Sequence, residues 1–187
     1  MVKAELIELP YGGNQIVMVA SAIIGDIAAM EFLISHDAHV NGTTTSFGMP
    51  LHAAAYAGQI PAMKFLLDKG AGPNAADLNQ RATPRNYAAI AGNEAAAALL
   101  LSVGAEPDAT DGPLNTPLTC AAVFGHDGMT GLLLAQASVK MENAKSGDGR
   151  SALAHAVRRI HVGVVGELLK RPDIDVNEMD AGFGCTP

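Results

Sequence analysis

The sequence predicts an all-α solenoid of about five helix-turn-helix repeats joined by hairpin loops. A glycine ends an alanine-rich run at Gly25, Gly58, Gly92 and Gly125, at intervals of 33, 34 and 33 residues. Ile160 holds the equivalent place 35 residues further on. Each of these runs is followed by a second run that is rich in leucine or other large apolar residues. Such a regular period predicts stacked copies of one structural unit.

Residues that favour a helix start precede the alanine-rich runs. Thr83, Thr116 and Ser151 have a side-chain oxygen that can cap a helix, and Pro84 suits the first turn because that turn needs no N–H from it. Met49 stands at the corresponding place in the second repeat and has no such oxygen. We therefore expect that helix to lack a cap worth about 1 kcal/mol.

The two runs of each repeat differ in side-chain size. Alanines make one side of the first helix small, which allows a neighbouring helix to approach closely. The bulk of the second helix comes from Phe32, Leu33, Phe65, Leu66, Leu67, Leu99, Leu100, Leu101, Leu132, Leu133, Leu134, Leu168 and Leu169. Neither helix buries its apolar face within one repeat, so we expect stacking of the repeats to form a continuous core.

We divide the chain into an N-terminal capping segment, residues 1–13, and a repeat domain, residues 14–187. The predicted repeats are 14–43, 44–77, 78–110, 111–145 and 146–180, with the start of a truncated further repeat at 181–187. Residues 1–9 have the pattern of a short helix that covers the first repeat. At the other end Val164, Val165, Leu168 and Leu169 are expected to lack a neighbour, so we expect the natural protein to continue or a partner to cover them.

Three short motifs mark the repeats: Thr116-Pro117-Leu118 at an opening, Gly125-His126 in the middle, and Val103-Gly104-Ala105 at the end of a second run. In these motifs the repeat resembles that of the ankyrin family. Asn74 matches the asparagine beyond that run. The resemblance covers residues 14–187. It implies a non-enzymatic module that binds a protein or peptide in a concave groove formed by the first helices and the hairpin tips.

The resemblance also implies which residues line this groove. The hairpin tips contribute Phe47, Gln80, Arg81, Asn115, Asp148, Arg150 and Phe183, and the ends of the first helices contribute Tyr56, Ile90, Phe124, Arg158 and Arg159. An apolar surface that ends in two arginines suits a partner with an apolar anchor and an acidic end. A second interpretation stays open: the aliphatic positions Ile23, Ile24, Ile90 and Val123 only fill space between helices, and the exposed arginines are merely solvated.

The third repeat departs from the pattern. Arg85 and Asn86 stand where a leucine and a histidine are expected. We therefore expect the first helix of this repeat to lack one apolar contact, and we expect the array to be less stable locally. The Arg85 stem is expected to pack against the helix while its guanidinium reaches water.

Composition argues against several classes of partner. The net charge of −7 and the pI near 5.2 disfavour nucleic-acid binding, which needs a basic surface. The acidic residues are scattered, which is typical of a solvated surface. No apolar run approaches the ~20 residues of a membrane span. Cys120 and Cys185 lie about two repeats apart, so we expect no disulfide between them and a location in the cytoplasm or the nucleus. We also expect the chain to be a monomer.

No residue pattern indicates catalysis, a metal or a cofactor. His52 follows the helix opener and is expected to bond to neighbouring backbone. His36 and His39 lack the further ligands that a metal site needs. Asn41 and Asn177 stand where some ankyrin repeats are hydroxylated, although an asparagine that only ties the hairpin is the simpler interpretation. As an alternative to a binding module, the chain is the N-terminal targeting part of a larger enzyme or effector whose catalytic part lies beyond residue 187.

Overall fold

The computed structural model describes residues 13–44, 47–106, 108–110, 115–136, 139 and 145–177. These residues form ten α-helices and no named strand, which confirms the predicted all-α class. The helices are α1 Gly13–Ile24, α2 Ile27–Ser35, α3 Pro50–Ala57, α4 Ile60–Asp68, α5 Pro84–Ala91, α6 Glu94–Ser102, α7 Pro117–Phe124, α8 Asp127–Leu134, α9 Ala152–Arg158 and α10 Val162–Leu168. The predicted helix at 1–9, the opener at 181–187 and the predicted tip residue Phe183 lie outside the described residues. The repeat boundaries stay a prediction.

The helices form two layers. The first helices of successive pairs, α1, α3, α5, α7 and α9, pack on one another, and the second helices form the other layer. Fully buried Ala55, Ala89 and Ala122 lie in the first layer, where their small side chains allow close approach. Buried Met63 and Leu100 belong to the second layer. One continuous apolar core therefore runs along the stack, as the sequence pattern predicts.

Side-chain caps begin three of the first helices as expected. Thr83 accepts a hydrogen bond from the backbone N–H of Asn86, whose side-chain oxygen in turn accepts one from the N–H of Thr83 at 3.0 Å. Thr116 and Ser151 cap α7 and α9 in the same position. Met49 precedes α3 and makes no side-chain cap, so that prediction is also confirmed.

The first helices end in a left-handed turn. Gly58 and Gly92 have φ of 69° and 72°, a backbone conformation that side chains with a Cβ atom disfavour. Ile160, which the alignment places with these glycines, adopts the same conformation with φ of 59°. An isoleucine in this region is sterically strained.

Polar side chains connect each repeat to the one before it. In the last four repeats the residue at the start of the second helix, which follows Gly58, Gly92, Gly125 or Ile160, reaches back with its side chain to a backbone carbonyl of the preceding first helix. These four contacts, which we call the ladder, are Gln59 to Ile23, Asn93 to Tyr56, His126 to Ile90 and His161 to Val123, at 3.1, 2.5, 2.9 and 3.2 Å. The ladder fixes the register of neighbouring repeats because it satisfies carbonyls at helix ends.

Arg85 does not behave as the sequence predicts. Its side chain is fully buried, so the guanidinium does not reach water. Within the part of the chain that the structure describes, none of its three side-chain nitrogens has a hydrogen-bond partner. Burial lowers the pKa of Arg85 to about 10, and the negative charge of Asp108 opposes the shift. The third repeat thus contains a buried cation where Leu51 and Leu118 fill the same place in its neighbours.

The expectation for the fifth repeat is also partly wrong. Val164 and Leu168 are buried, with 1% and 0% exposure, because they face the core of the stack instead of its end. Val165 is half-buried and packs against the same core. Leu169, by contrast, is 51% exposed.

Candidate functional site

Exposed aromatic and basic residues lie at the ends of the first helices. Tyr56 in α3 is 42% exposed and Phe124 in α7 is 52% exposed. Arg158 and Arg159 end α9 and are exposed. The structure therefore leaves these four predicted site residues accessible on one helix layer.

An aromatic cluster lies on α3, α5 and the hairpin before α3. The ring centroid of Tyr56 lies 6.1 Å from that of Phe47 and 6.4 Å from that of Tyr87. Tyr87 also meets the ring of His52 edge-on at 5.2 Å. These separations lie in the range of stabilising aromatic pairs. The cluster consists of Phe47, Tyr56, Tyr87 and His52, and it gives the layer a rigid apolar patch.

Tyr87 is not among the residues that the sequence predicts for the site. Its hydroxyl donates a hydrogen bond to the buried carboxylate of Asp77 at 2.8 Å. Burial and this contact with Asp77 raise the pKa of Tyr87. The available signal was the spacing of three residues between Tyr87 and Ile90, which puts both side chains on one helix face.

The predicted tip residues Gln80 and Arg81 are exposed. Their turn is held by Asp77, whose Oδ1 accepts hydrogen bonds from the backbone N–H groups of Asn79 and Gln80 at 3.1 and 2.7 Å. Arg81 adopts a left-handed conformation with φ of 54°. The hairpin thus presents these two polar side chains from a fixed turn.

Two other predicted residues have structural contacts. Ile90 is half-buried against the core, and its carbonyl accepts the ladder bond from His126. The carbonyl of Asn115 accepts a hydrogen bond from the side-chain amide of Asn86 at 3.1 Å. The interpretation of Ile90 as a space-filling residue agrees with this packing, whereas Ile24 is 70% exposed.

Asp148 and Arg150 bind each other within the hairpin before α9. Their side chains form an ion pair, and Asp148 also accepts a hydrogen bond from Ser146. Ser146 in turn lies 2.8 Å from Nε2 of His155. The hydrogen bond from Ser146 lowers the pKa of Asp148, and the N–H and charge of Arg150 contribute further. The serine contacts both the acid and the histidine, so the group lacks the order of a nucleophilic triad, in which the acid orients the histidine.

Two of the residues with alternative interpretations tie the backbone. His52 lies with Nε2 2.9 Å from the carbonyl of Ala82, as the sequence predicts. Asn41 donates to the carbonyl of Gly70 at 3.1 Å and accepts from the N–H of Gly72 at 3.2 Å. A hairpin tie between neighbouring repeats therefore accounts for this asparagine.

Charge is distributed unequally between the two layers. None of the first helices α1, α3, α5, α7 and α9 contains an aspartate or a glutamate. Each second helix contains one acidic residue: Glu31, Asp68, Glu94, Asp127 or Glu167. The first-helix layer is thus free of acidic side chains in a chain of net charge −7. The acidic residues are less evenly spread than the sequence alone indicates.

Comparison with known proteins agrees with this architecture. A family model described as ankyrin repeats in three copies matches residues 17–111. No curated protein matches the chain. None of the described helices is long and apolar enough to cross a membrane.

Proposed function

Because this chain belongs to the ankyrin repeat family, whose members are generally protein–protein interaction modules, we propose that it is a non-enzymatic scaffold that binds a protein partner along its first-helix layer. The partner segment lies against the ends of the first helices and the hairpin tips. We further propose that the chain acts as a monomer and that it works inside the cell. The two cysteines, which lie about two repeats apart in the sequence, support the intracellular location.

The observation that carries this proposal is the acid-free layer with its exposed aromatic and basic residues. Tyr56, Phe124 and the arginines that end α9 are the residue types that dominate binding energy at protein interfaces. The layer is also rigid, because buried alanines and the ladder hold the first helices in register. A preformed surface loses less conformational entropy on binding than a flexible one.

Packing between the helices supports a concave shape for this layer. Contacts between successive first helices are more extensive than those between successive second helices. A stack whose layers differ in this way curves toward the closer layer. The partner segment would therefore lie in a groove that runs past several repeats.

The residues at the two ends of the groove differ in chemistry, so they favour one orientation of the partner segment. Three rings of the aromatic cluster, those of Phe47, Tyr56 and Tyr87, lie in the second and third repeats and offer a contact for an apolar side chain. Arg158 and Arg159 lie at the fifth repeat, where they favour carboxylates. The proposed partner segment has an apolar anchor and an acidic end.

Affinity capture from a cell lysate tests the proposal. The bait is compared with a variant that carries Tyr56→Ala, Phe124→Ala, Arg158→Ala and Arg159→Ala, after circular dichroism has shown equal helix content. We expect quantitative mass spectrometry to find a protein that the variant loses by about 10-fold or more. A chain with Phe32→Ala and Lys64→Ala is the matched control, since it removes an exposed aromatic and a basic residue from the second-helix layer.

The control variant shows whether a loss of binding depends on where the replaced residues lie or only on their residue types. A protein lost by the groove variant and kept by the control supports the first-helix layer as the binding surface. Equal loss in both variants, or retention in both, contradicts the proposal.

A further inference from the structure

The first hairpin contains a chemically reactive pair of residues, Asn41 and Gly42. Asn41 is the only asparagine in the sequence that precedes a glycine, and every other asparagine is followed by a residue with a Cβ atom. A Cβ atom hinders the approach of the following backbone nitrogen to the asparagine side chain, whereas glycine leaves that approach open. Attack of the backbone nitrogen on the carboxamide is therefore least hindered at Asn41.

The reaction that this pairing favours is deamidation. The backbone nitrogen of Gly42 loses its proton to solvent base and bonds to Cγ of Asn41, and the bond from Cγ to Nδ2 breaks. Nδ2 takes a proton from solvent and leaves as ammonia, so a cyclic succinimide remains. Water then opens the ring at either carbonyl carbon and gives aspartate or isoaspartate. Water is the only reactant that the net change consumes, and no oxidant or reductant takes part.

Hydrogen bonds to the second repeat hold the carboxamide of Asn41. Its Nδ2 donates to the carbonyl of Gly70 at 3.1 Å, and its Oδ1 accepts from the N–H of Gly72 at 3.2 Å. These bonds fix the side chain in one orientation, so attack on Cγ requires this tie to open. Both bonds join exposed groups, and such contacts open at a lower free energy than those of the core.

The attacking nitrogen is also held by the first repeat. The N–H of Gly42 donates to the carbonyl of His39 at 3.0 Å, and the carbonyl of Gly42 accepts from Nε2 of Gln15 at 2.8 Å. The Gln15 side chain also fills the space that a Cβ atom on residue 42 would take. Packing of α1 on this hairpin therefore favours the same glycine that makes Asn41 reactive.

Asn74 makes the same contacts one repeat later. Its Nδ2 donates to the carbonyl of Gly104 at 3.2 Å, and its Oδ1 accepts from the N–H of Glu106 at 2.8 Å. The next residue, Ala75, also donates its N–H to a carbonyl three residues earlier, at 3.1 Å. Hydrogen bonding is thus alike at the two asparagines, and the residue that follows each of them is what differs.

We propose that Asn41 is a site of spontaneous deamidation, which irreversibly weakens the junction between the first two repeats. The carboxylate that forms has no N–H to donate to the carbonyl of Gly70, and isoaspartate also lengthens the main chain. Asp108 stands at the equivalent place 34 residues after Asn74, so the aspartate product should stay folded. This inference does not depend on the proposed function.

Peptide mapping of the folded chain tests the inference. The purified protein is incubated at mildly alkaline pH, and samples are digested with pepsin at acidic pH, where the reaction is slow. We expect tandem mass spectrometry to find aspartate and isoaspartate at position 41 and unchanged asparagine at position 74. Gly42→Ala should abolish these products, and Ala75→Gly should create them at Asn74. Circular dichroism verifies that each variant keeps the helix content of the natural chain.

Two further variants test how the junction takes part. Gln15→Ala removes the bond to the carbonyl of Gly42, so deamidation should accelerate by about fivefold, the factor that one lost hydrogen bond contributes to an opening equilibrium. Asn41→Asp copies the aspartate product. It should lower the thermal unfolding midpoint, because the carbonyl of Gly70 loses this donor.

The outcomes that overturn the inference are distinct. Conversion of Asn41 in urea but not in the folded chain would show that the tie protects this residue completely. Equal conversion at Asn41 and Asn74 would show that the glycine has no role. A rate that Gln15→Ala leaves unchanged contradicts the need for opening, and an unchanged unfolding midpoint of Asn41→Asp contradicts the weakened junction.

Discussion

The Nε2 atom of His126 lies 2.9 Å from the carbonyl oxygen of Ile90, 36 residues earlier in the chain. The other ring nitrogen lies 2.6 Å from the point where a Cβ atom on Gly92 would stand. The histidine of one repeat therefore occupies the space that the glycine of the preceding repeat leaves open. A glycine and a polar side chain on neighbouring repeats act as one structural unit.

Loss of the His126 contact should weaken the stack. We expect His126→Ala to lower the free energy of unfolding by about 1 kcal/mol, because the carbonyl of Ile90 loses a partner. His126→Asn should cost less, since Asn93 makes the equivalent contact one repeat earlier. Urea denaturation followed by circular dichroism measures both changes. Equal stability of the alanine variant and the natural chain would contradict this role.

Glycines in the second helices should respond differently from those in the turns. Gly166 lies inside α10 with open space around the position of a Cβ atom, so Gly166→Ala should stabilise the protein by about 1 kcal/mol. Gly92→Ala is the contrasting variant and should destabilise it, because of the left-handed turn and the His126 ring. The thermal unfolding midpoint should rise for Gly166→Ala and fall for Gly92→Ala. A shift of both midpoints in the same direction would show that helix propensity and turn strain are not the controlling factors.

Replacement of Arg85 by leucine should stabilise the array. A buried guanidinium has a high desolvation cost, and an apolar residue in its place is expected to raise the free energy of unfolding by about 1–4 kcal/mol. Leu51 and Leu118 show that the stack accepts leucine in this position. Urea denaturation of Arg85→Leu, with Arg85→Met as a second apolar substitute, measures the effect. A loss of stability in both variants would indicate that the cation is needed.

Stability should fall as the solution becomes acidic, in part through His52. Burial lowers the pKa of His52, whereas hydrogen bonding to Ala82 and the charge of Asp77 oppose the shift. The unfolded chain therefore binds the proton more readily than the folded chain, and stability contributed by His52 is lost as pH falls below about 6.5. Urea denaturation between pH 5 and pH 8 should show a weaker dependence in His52→Asn, which copies Asn86 of the next repeat. An unchanged slope would contradict the assignment.

Local features of the fold could be predicted because they depend on neighbouring residues. The caps at Thr83, Thr116 and Ser151 could be predicted because each side-chain oxygen accepts a hydrogen bond from the backbone N–H only three residues later. The turn at Gly58 follows from the need for positive φ. Such contacts span a few residues and recur in each repeat.

Parts of the candidate site could not be predicted because they depend on contacts between repeats. Tyr87 joins Tyr56 across two helices, although the sequences around them differ. Asp148 and Arg150 are charged residues in a predicted hairpin tip, yet their side chains form an ion pair with each other. The periodicity of the sequence indicates on which helix and on which face of it a residue lies. The packing of neighbouring repeats decides which partner its polar group contacts.

The sequence by itself determined the period, the helical class and the division into first and second helices, because these depend on spacing and on local backbone preferences. Only the tertiary structure decided that Arg85 is buried, that Val164 and Leu168 face the core, and that Ile160 stands exposed in a strained turn. The physical reason is that burial depends on where neighbouring repeats lie in space. Residues that match in the alignment can therefore meet different surroundings in the folded stack.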